Sequence, residues 1–323
     1  MTVMVAERRA DTLAAEMRAL VVTNMYPTRT RPALGSYVRD QVEALRRIPG
    51  VDVELFAFEP GGVGAYLTAA REAARRYRAE PFDVVHAHFG LTLYPARVAR
   101  GRAHVVTLHG TDLSHPRSRP ITLAGLRLMD MVATASEELS ARVPRWAFAE
   151  ARAVLPAGVE VRRFQPIPRS EARAKLGLDP TGPYLLFAAD PARPEKRHDL
   201  AAAVAGEVPL LTLGDVEPEA VPLWINAANA VLAPSDREGF GLSVLEALAC
   251  DVPVLATPVG VARDALDGVE GAYCGPFELP AWQRALAPHL ENPDPRIAGR
   301  ARAEEFSCDR MAERVLAAWK SLH

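Results

Sequence analysis

Short apolar runs recur along this chain, separated by stretches long enough for one helix each. That alternation narrows the fold more than any other feature. In the first half the runs span 18–23, 51–58, 84–88, 105–108 and 131–134. In the second half they span 184–188, 210–213, 230–232, 252–256 and, more weakly, 272–274. Most are continuously apolar rather than alternating, which is the pattern of strands buried on both faces of a parallel sheet. The intervening segments read as amphipathic helices. In the one starting near Ser36, Val38, Val42 and Leu45 share a face opposite Arg39, Glu43, Arg46 and Arg47. The fold class expected is therefore α/β, with parallel sheets covered on both sides.

A chain of 323 residues is long enough for two such domains. The proline-bearing run FQPIPRSEARAKLGLDP, residues 164–180, marks a linker between the two sets of strands. Two Rossmann-like domains facing a central cleft is the simplest architecture, with ligands at the C-terminal ends of the strands.

Composition removes several function classes. The hydrophobic fraction of 49% and charged fraction of 24% are those of a globular protein, and no run of about 18 apolar residues could span a bilayer. Glu7, Arg8, Arg9 and Asp11 interrupt any signal-peptide core. Cys250, Cys274 and Cys308 have neither disulfide nor metal spacing, as expected of a cytoplasmic protein. The net charge of −2 conceals a contrast: residues 1–165 hold 23 basic and 17 acidic side chains, the remainder 15 and 23. The basic first half suits an anionic acceptor or peripheral contact with the inner face of a membrane; a composition that prefers arginine on solvated faces is the competing reading. Its arginines are dispersed among acids, so no nucleic-acid partner is expected.

The densest chemical signal is Glu238-Gly239-Phe240-Gly241-Leu242-Ser243-Val244-Leu245-Glu246, with two carboxylates eight positions apart. Gly239 and Gly241 allow close backbone approach, and the first-turn amides of a helix opening there can face an anion. Glu238 then precedes the helix and Glu246 lies about one turn inside it. An elongated ligand with phosphates between two hydroxyl-bearing ends fits that spacing. The string EGFGLSVLEALACDVPVLATPVG resembles the E-x7-E element of the family 4 retaining glycosyltransferases (group 1), which implies a GT-B fold. The resemblance implies domains over 1–165 and 166–308, with a last helix, 309–323, packing back on the first. It assigns Glu246 to ribose hydroxyls, Glu238 to a donor-sugar hydroxyl in a catalytic role, and the amides around Gly239, Phe240, Gly241 and Leu242 to the diphosphate. Ser243, Asp251 and Val261 depart from the family's usual proline and glycines, outside those contacts.

Three further positions follow from the same resemblance. Arg193-Pro194-Glu195-Lys196-Arg197 resembles the family's R-x-x-P-E-K element, in which Arg and Lys neutralise the donor diphosphate. Lys196 is one of only three lysines against 35 arginines, which suits a compact ammonium. Arg193 stands three residues before it rather than five, and Pro191 fills the usual arginine place; a solvated loop arginine is the competing reading. His109, in His109-Gly110-Thr111-Asp112 after a strand, matches a family histidine touching the donor sugar and is the second catalytic candidate. Asp112 reads as a helix cap or as the partner orienting His109. Gly35 opens a helix and matches the glycine loop that covers the diphosphate; a plain turn glycine is the alternative. His86, His88, His104, His109 and His115 lack a shared face with acids, so no metal is expected. His88 is a candidate for the acceptor side. Gly61-Gly62-Val63-Gly64 follows no first strand in a dinucleotide pattern. Leu155–Glu160 departs from the family's P-N-G-V-D hinge at Ala157 and Glu160.

The activity implied is retaining transfer of a sugar from a nucleoside-diphosphate sugar to a hydroxyl acceptor, without a cofactor or metal. The acceptor, whether glycan, lipid-linked or small molecule, stays open, as do the base, the sugar and the oligomeric state. Two other classes compete: a catalytically silent sugar-nucleotide-binding subunit, which would have shed part of the set, and a sugar-nucleotide epimerase, which needs a spare acid/base pair.

Overall fold

A computed structural model describes residues 17–148, 151–214 and 216–323; the leader over 1–16, expected to be helical or frayed, lies outside them. The chain divides into two compact units. The first runs up to Ala157 and is completed by Met311–His323; the second is Gly158–Arg310.

The first unit holds a six-stranded parallel sheet: β1 (Met17–Thr23), β2 (Val51–Ala57), β3 (Phe82–His88), β4 (Gly101–Leu108), β5 (Met131–Thr134) and β6 (Ala151–Val154), in the order β2-β1-β3-β4-β5-β6. Side chains alternate between its faces. Leu20, Val22, Val85, Ala87, Val106, Leu108 and Val132 belong to one apolar cluster, which Phe56, Phe82, Leu93 and Leu126 complete. Partners along the register, such as Val21↔His86 and His86↔Val105, point to the other face. The strand β6 has no counterpart in the apolar pattern: Ala151-Arg152-Ala153-Val154 has one charged and two small residues and none fully buried, as befits an edge strand paired only to β5.

The second unit holds a five-stranded parallel sheet: β7 (Leu185–Phe187), β8 (Leu210–Thr212), β9 (Ala230–Ala233), β10 (Val254–Ala256) and β11 (Tyr273–Cys274), in the order β11-β10-β9-β7-β8. Its two faces are directly legible. Leu186, Val231, Val254 and Ala256 pack with Val244, Leu245 and Leu248 of the helix Leu242–Ala249, while Leu185, Phe187, Ala230, Leu232 and Leu255 pack with Trp282 and Leu286. Residues Gly158 to Gln165, expected with the first domain, group with this unit. Val159 forms a parallel bridge to Ser307, and Val159 N–H donates to the Phe306 carbonyl at 2.9 Å.

Asp251, where the family usually has glycine, adopts φ 54°. Aspartate tolerates the left-handed region better than most side chains. Here the carboxylate is also used: Oδ1 accepts from the backbone N–H groups of Gly299 (3.0 Å) and Arg300 (2.7 Å).

Candidate active site

In the second unit the loop after β7 meets the loop after β9, as the switch-point rule for open sheets anticipates. A short 3-10 turn, Pro194–Lys196, carries the lysine, and the backbone N–H of Asp236 donates to the Glu195 carbonyl at 2.9 Å, tying the loops together. Lys196 Nζ lies 2.6 Å from both carboxylate oxygens of Glu238. Both side chains are nearly covered, at 12% and 11% exposure, so the pair is screened far less by solvent than a surface contact. Ser235 Oγ donates to Glu238 Oε1 at 2.7 Å, and Thr257 Oγ1 donates to the Ser235 carbonyl at 2.5 Å.

Directly after Glu238 the backbone turns into the helix Leu242–Ala249, with Gly241 at its N-cap and φ 95°. The left-handed turn falls on Gly241; Gly239 has no positive φ. Phe240 is half-buried, and its carbonyl accepts from Val261 N–H at 2.7 Å. Within the first turn Val244 N–H already donates to the Gly241 carbonyl at 3.2 Å; the amides ahead of it are the natural donors for an anion. Glu246, half-buried, is the fifth residue of the same helix. Burial, then the charge of Glu246, pushes the Cys250 thiol up to about 12, which leaves that cysteine an inert core residue.

Lys196, Glu238, Phe240, Gly241 and Leu242 thus belong to one loop cluster. Arg193 has a different engagement: it is 54% exposed and forks onto Glu195 Oε1 at 3.0 and 2.7 Å. Arg197, with φ 57°, bridges Asp199 (2.8 Å) and Asp236 (3.0 Å) and so braces the same pair of loops. Ser235 and Asp236 have no local motif, and Thr257 stands in the quoted string without a signal of its own; position just after a strand's C-terminal end was the available clue.

The first unit brings Tyr37, two residues after Gly35, against His109. Gly35 is the N-cap of the helix Ser36–Arg46 with φ 65°, and a Cβ there would stand 2.1 Å from the Met25 carbonyl oxygen. The loop's own closure therefore requires glycine. The Tyr37 ring lies 4.8 Å from that of His109. His88 Nδ1 and His109 Nε2 are 3.1 Å apart and share one proton, and the His88 ring also stacks on His86 at 4.5 Å. Burial pulls both His86 and His109 down to about 3, so both are neutral imidazoles at neutral pH.

Asp112 is not the N-cap, but it is a partner that orients His109, through that residue's backbone N–H. It sits inside the short helix Thr111–Ser114, and its carboxylate accepts from the backbone N–H groups of His109 (3.0 Å), Gly110 (2.8 Å) and Gly90 (3.2 Å). It pins the exits of β3 and β4 to each other, fixing where His109 stands. Burial raises its carboxyl above the usual range against those three donors. His88, considered for the acceptor side, is 1% exposed, and its Nε2 has no hydrogen-bond partner among the described residues. No group of three or more His, Cys, Asp or Glu among the described residues could hold a metal ion, and no helix among them is long and apolar enough to cross a membrane.

Residues 6–163 match the family model for Glycosyltransferase Family 4, and residues 183–292 match that for Glycosyl transferases group 1. The D-inositol 3-phosphate glycosyltransferase of Actinosynnema mirum is 30% identical across 80% of this chain and 77% of that protein. That of Geodermatophilus obscurus is 27% identical, covering 80% and 71%. Among solved structures, sucrose-phosphate synthase from Thermosynechococcus elongatus superposes with a TM-score of 0.71 at 18% identity, over 94% of this chain and 99% of that one. Anabaena Alr3699/HepE in complex with UDP-glucose gives 0.67 at 17%, over 95% and 100%. Two parallel-sheet α/β units with these neighbours constitute the GT-B fold. The chain is a group 1 glycosyl transferase and belongs to glycosyltransferase family 4.

Proposed function

We propose that this protein transfers a sugar from a nucleoside-diphosphate sugar to a hydroxyl acceptor with retention of anomeric configuration, in the biosynthesis of a glycan or glycoconjugate. The observation that carries the reading is the juxtaposition of the Lys196 ammonium, the Glu238 carboxylate and the N-terminus of the helix Leu242–Ala249 on adjoining loops. The hard step is departure of a diphosphate from a sugar that gains oxocarbenium character. Lys196 and the helix-end amides of Phe240, Gly241 and Leu242 supply positive potential to the leaving oxygens without a divalent metal. Glu238 takes a hydroxyl of the donor sugar and Glu246 the ribose. His109 is assigned to the donor sugar near the reacting carbon, where a neutral imidazole offers a hydrogen bond rather than a charge. The departing phosphate accepts the acceptor's proton as the new bond forms on the face it leaves.

The complex of Anabaena Alr3699/HepE with UDP-glucose supports a nucleotide-sugar donor. Because the relatives from Actinosynnema mirum and Geodermatophilus obscurus are D-inositol 3-phosphate glycosyltransferases, inositol phosphate is the first acceptor to try. Calorimetric titration of UDP, GDP and ADP into wild type, Lys196→Ala and Glu246→Ala tests the donor site. Binding of one nucleotide that both variants lose is the expected result; absence of binding by all three to folded wild type sinks the reading. The anomeric proton coupling of the isolated product then tests retention, and an inverted product would refute it. The location expected is cytoplasmic, with peripheral membrane contact read only from the basic first half.

A further inference from the structure

We infer that Ser235 is a positioning residue for Glu238, holding that carboxylate in place once donor phosphate draws Lys196 away. The inference rests on the proposed roles of Lys196 at the diphosphate and Glu238 at the donor sugar.

Glu238 has two partners of different kinds. Lys196 Nζ reaches both carboxylate oxygens at 2.6 Å, while Ser235 Oγ donates to Oε1 alone at 2.7 Å. A diphosphate competes for the ammonium, because phosphate oxygens carry more charge than one carboxylate and form strong charge-assisted hydrogen bonds. Lys196 sits on a flexible four-carbon stem and can turn toward them. Ser235 has no such freedom. It is 3% exposed, and its carbonyl accepts from Thr257 Oγ1 at 2.5 Å. Thr257 N–H is itself bonded to the Ala233 carbonyl at the end of β9, at 3.2 Å. The next residue, Asp236, is held by the Glu195 carbonyl and by Arg197. Ser235 therefore presents its hydroxyl from backbone fixed on both sides.

The stem of Glu238 is confined as well. A Cβ on Gly260 would stand 2.8 Å from Glu238 Cβ, so the glycine backbone lies directly against it. With the stem confined and Oε1 taken by Ser235, Oε2 is the oxygen left to accept from a sugar hydroxyl when Lys196 departs. Without Ser235, a carboxylate only 11% exposed would lose its remaining fixed donor at the moment the sugar has to be oriented. The expected defect is thus in turnover rather than in nucleotide capture.

The test compares Ser235→Ala and Ser235→Thr with wild type. It measures nucleoside-diphosphate affinity by calorimetry, kcat and donor KM with the cognate donor, and thermal melting. Ser235→Ala is expected to lower kcat about 10- to 100-fold, the scale of a displaced orienting group, with nucleotide affinity within about twofold of wild type. Ser235→Thr, which keeps the hydroxyl, is expected to recover most of the loss. A Ser235→Ala kcat equal to wild type overturns the inference, as does a nucleotide affinity that falls in parallel with kcat, or a threonine variant no better than alanine. Wild type that binds no nucleotide and transfers no sugar overturns the underlying reading instead, and the inference with it.

Discussion

The indole N–H of Trp319 donates to Nδ1 of His86 at 3.2 Å, across 233 positions of sequence. Indole nitrogen can only donate, so Nδ1 of His86 must be the lone-pair nitrogen and the ring proton sits on Nε2. That proton then points at Thr107 Oγ1, 2.7 Å away. One contact from the C-terminal helix Cys308–Lys320 fixes the tautomer of a fully buried imidazole on the central strand β3. Trp319→Phe keeps most of the ring's apolar contact and removes only the donor, leaving Nδ1 buried and unsatisfied. The expected cost is about 1–3 kcal/mol, read by urea denaturation monitored by circular dichroism. A change below about 0.5 kcal/mol would be that of an unremarkable surface substitution and would disprove the lock.

Acid should weaken the first unit through the same histidines. His86 and His109 bind protons only near pH 3 when folded but near 6.5 when unfolded, and His88 is lowered as well, by burial and then by its histidine neighbours. Between those limits the unfolded chain holds more protons, so stability falls as pH falls from about 6.5 toward 3. Each fully neutral buried histidine contributes up to about 1.4 kcal/mol per pH unit. Asp112, whose carboxyl burial raises, works in the opposite sense, and only between its ordinary range and its raised value. Melting temperature measured from pH 7.5 to 4.5 is expected to drop steadily below 6.5. Protonating His86 at Nδ1 would also set two N–H groups head to head with Trp319, so His86→Gln is expected to flatten the slope. A wild-type profile flat across that window would refute the argument.

Much of this was legible in the sequence, and what escaped did so for physical reasons. Continuous apolar runs located β1 to β5 and the strands of the second unit because parallel strands are buried on both faces. The strand β6 escaped because an edge strand needs no such run. The E-x7-E element brought Glu238, Gly241 and Glu246 into view through spacing, and a scarce lysine drew attention to Lys196. Nothing local revealed that Lys196 and Glu238 hold each other, since that contact joins loops 42 positions apart; Ser235 and Glu238 share one loop, where a spacing of three, unlike in a helix, does not by itself bring side chains together. Asp112 stands out in the sequence, yet its use of backbone N–H groups just beyond the ends of two strands becomes visible only once β3 and β4 lie side by side.

The Lys196–Glu238 pair yields a double-mutant prediction. Removing one partner of a nearly buried pair strands the other's charge, so Lys196→Met is expected to destabilise the second unit by about 2–4 kcal/mol. Glu238→Gln, which keeps a polar group beside Ser235, should cost less. The combined variant is expected to be more stable than the sum of the two losses predicts, with a coupling of about 1–3 kcal/mol in denaturation experiments. Additive losses would mean that the pair contributes nothing to the unliganded fold.

Gly260 offers the sharpest steric test near the same carboxylate. Its φ is 59°, and a Cβ would stand 2.3 Å from the Phe240 carbonyl oxygen and 2.8 Å from Glu238 Cβ. Neither obstacle is the movable end of a side chain, and L-residues seldom adopt that φ. Gly260→Ala must therefore push the Glu238–Gly241 loop outward or abandon the turn. We expect a loss of about 2–4 kcal/mol, together with at least a tenfold weaker response to nucleoside diphosphate in a thermal-shift titration. Gly182→Ala is the matched control: its φ is not in the left-handed region, and the nearest atom to a new Cβ is Tyr184 Cε2 at 3.9 Å. That substitution should be neutral or stabilising by about 0.5 kcal/mol, through the entropy of the unfolded chain. If Gly260→Ala matched the control in stability and in nucleotide response, the close approach of Gly260 to Glu238 would not constrain the loop, and the rigid setting assigned to that carboxylate would have to be given up.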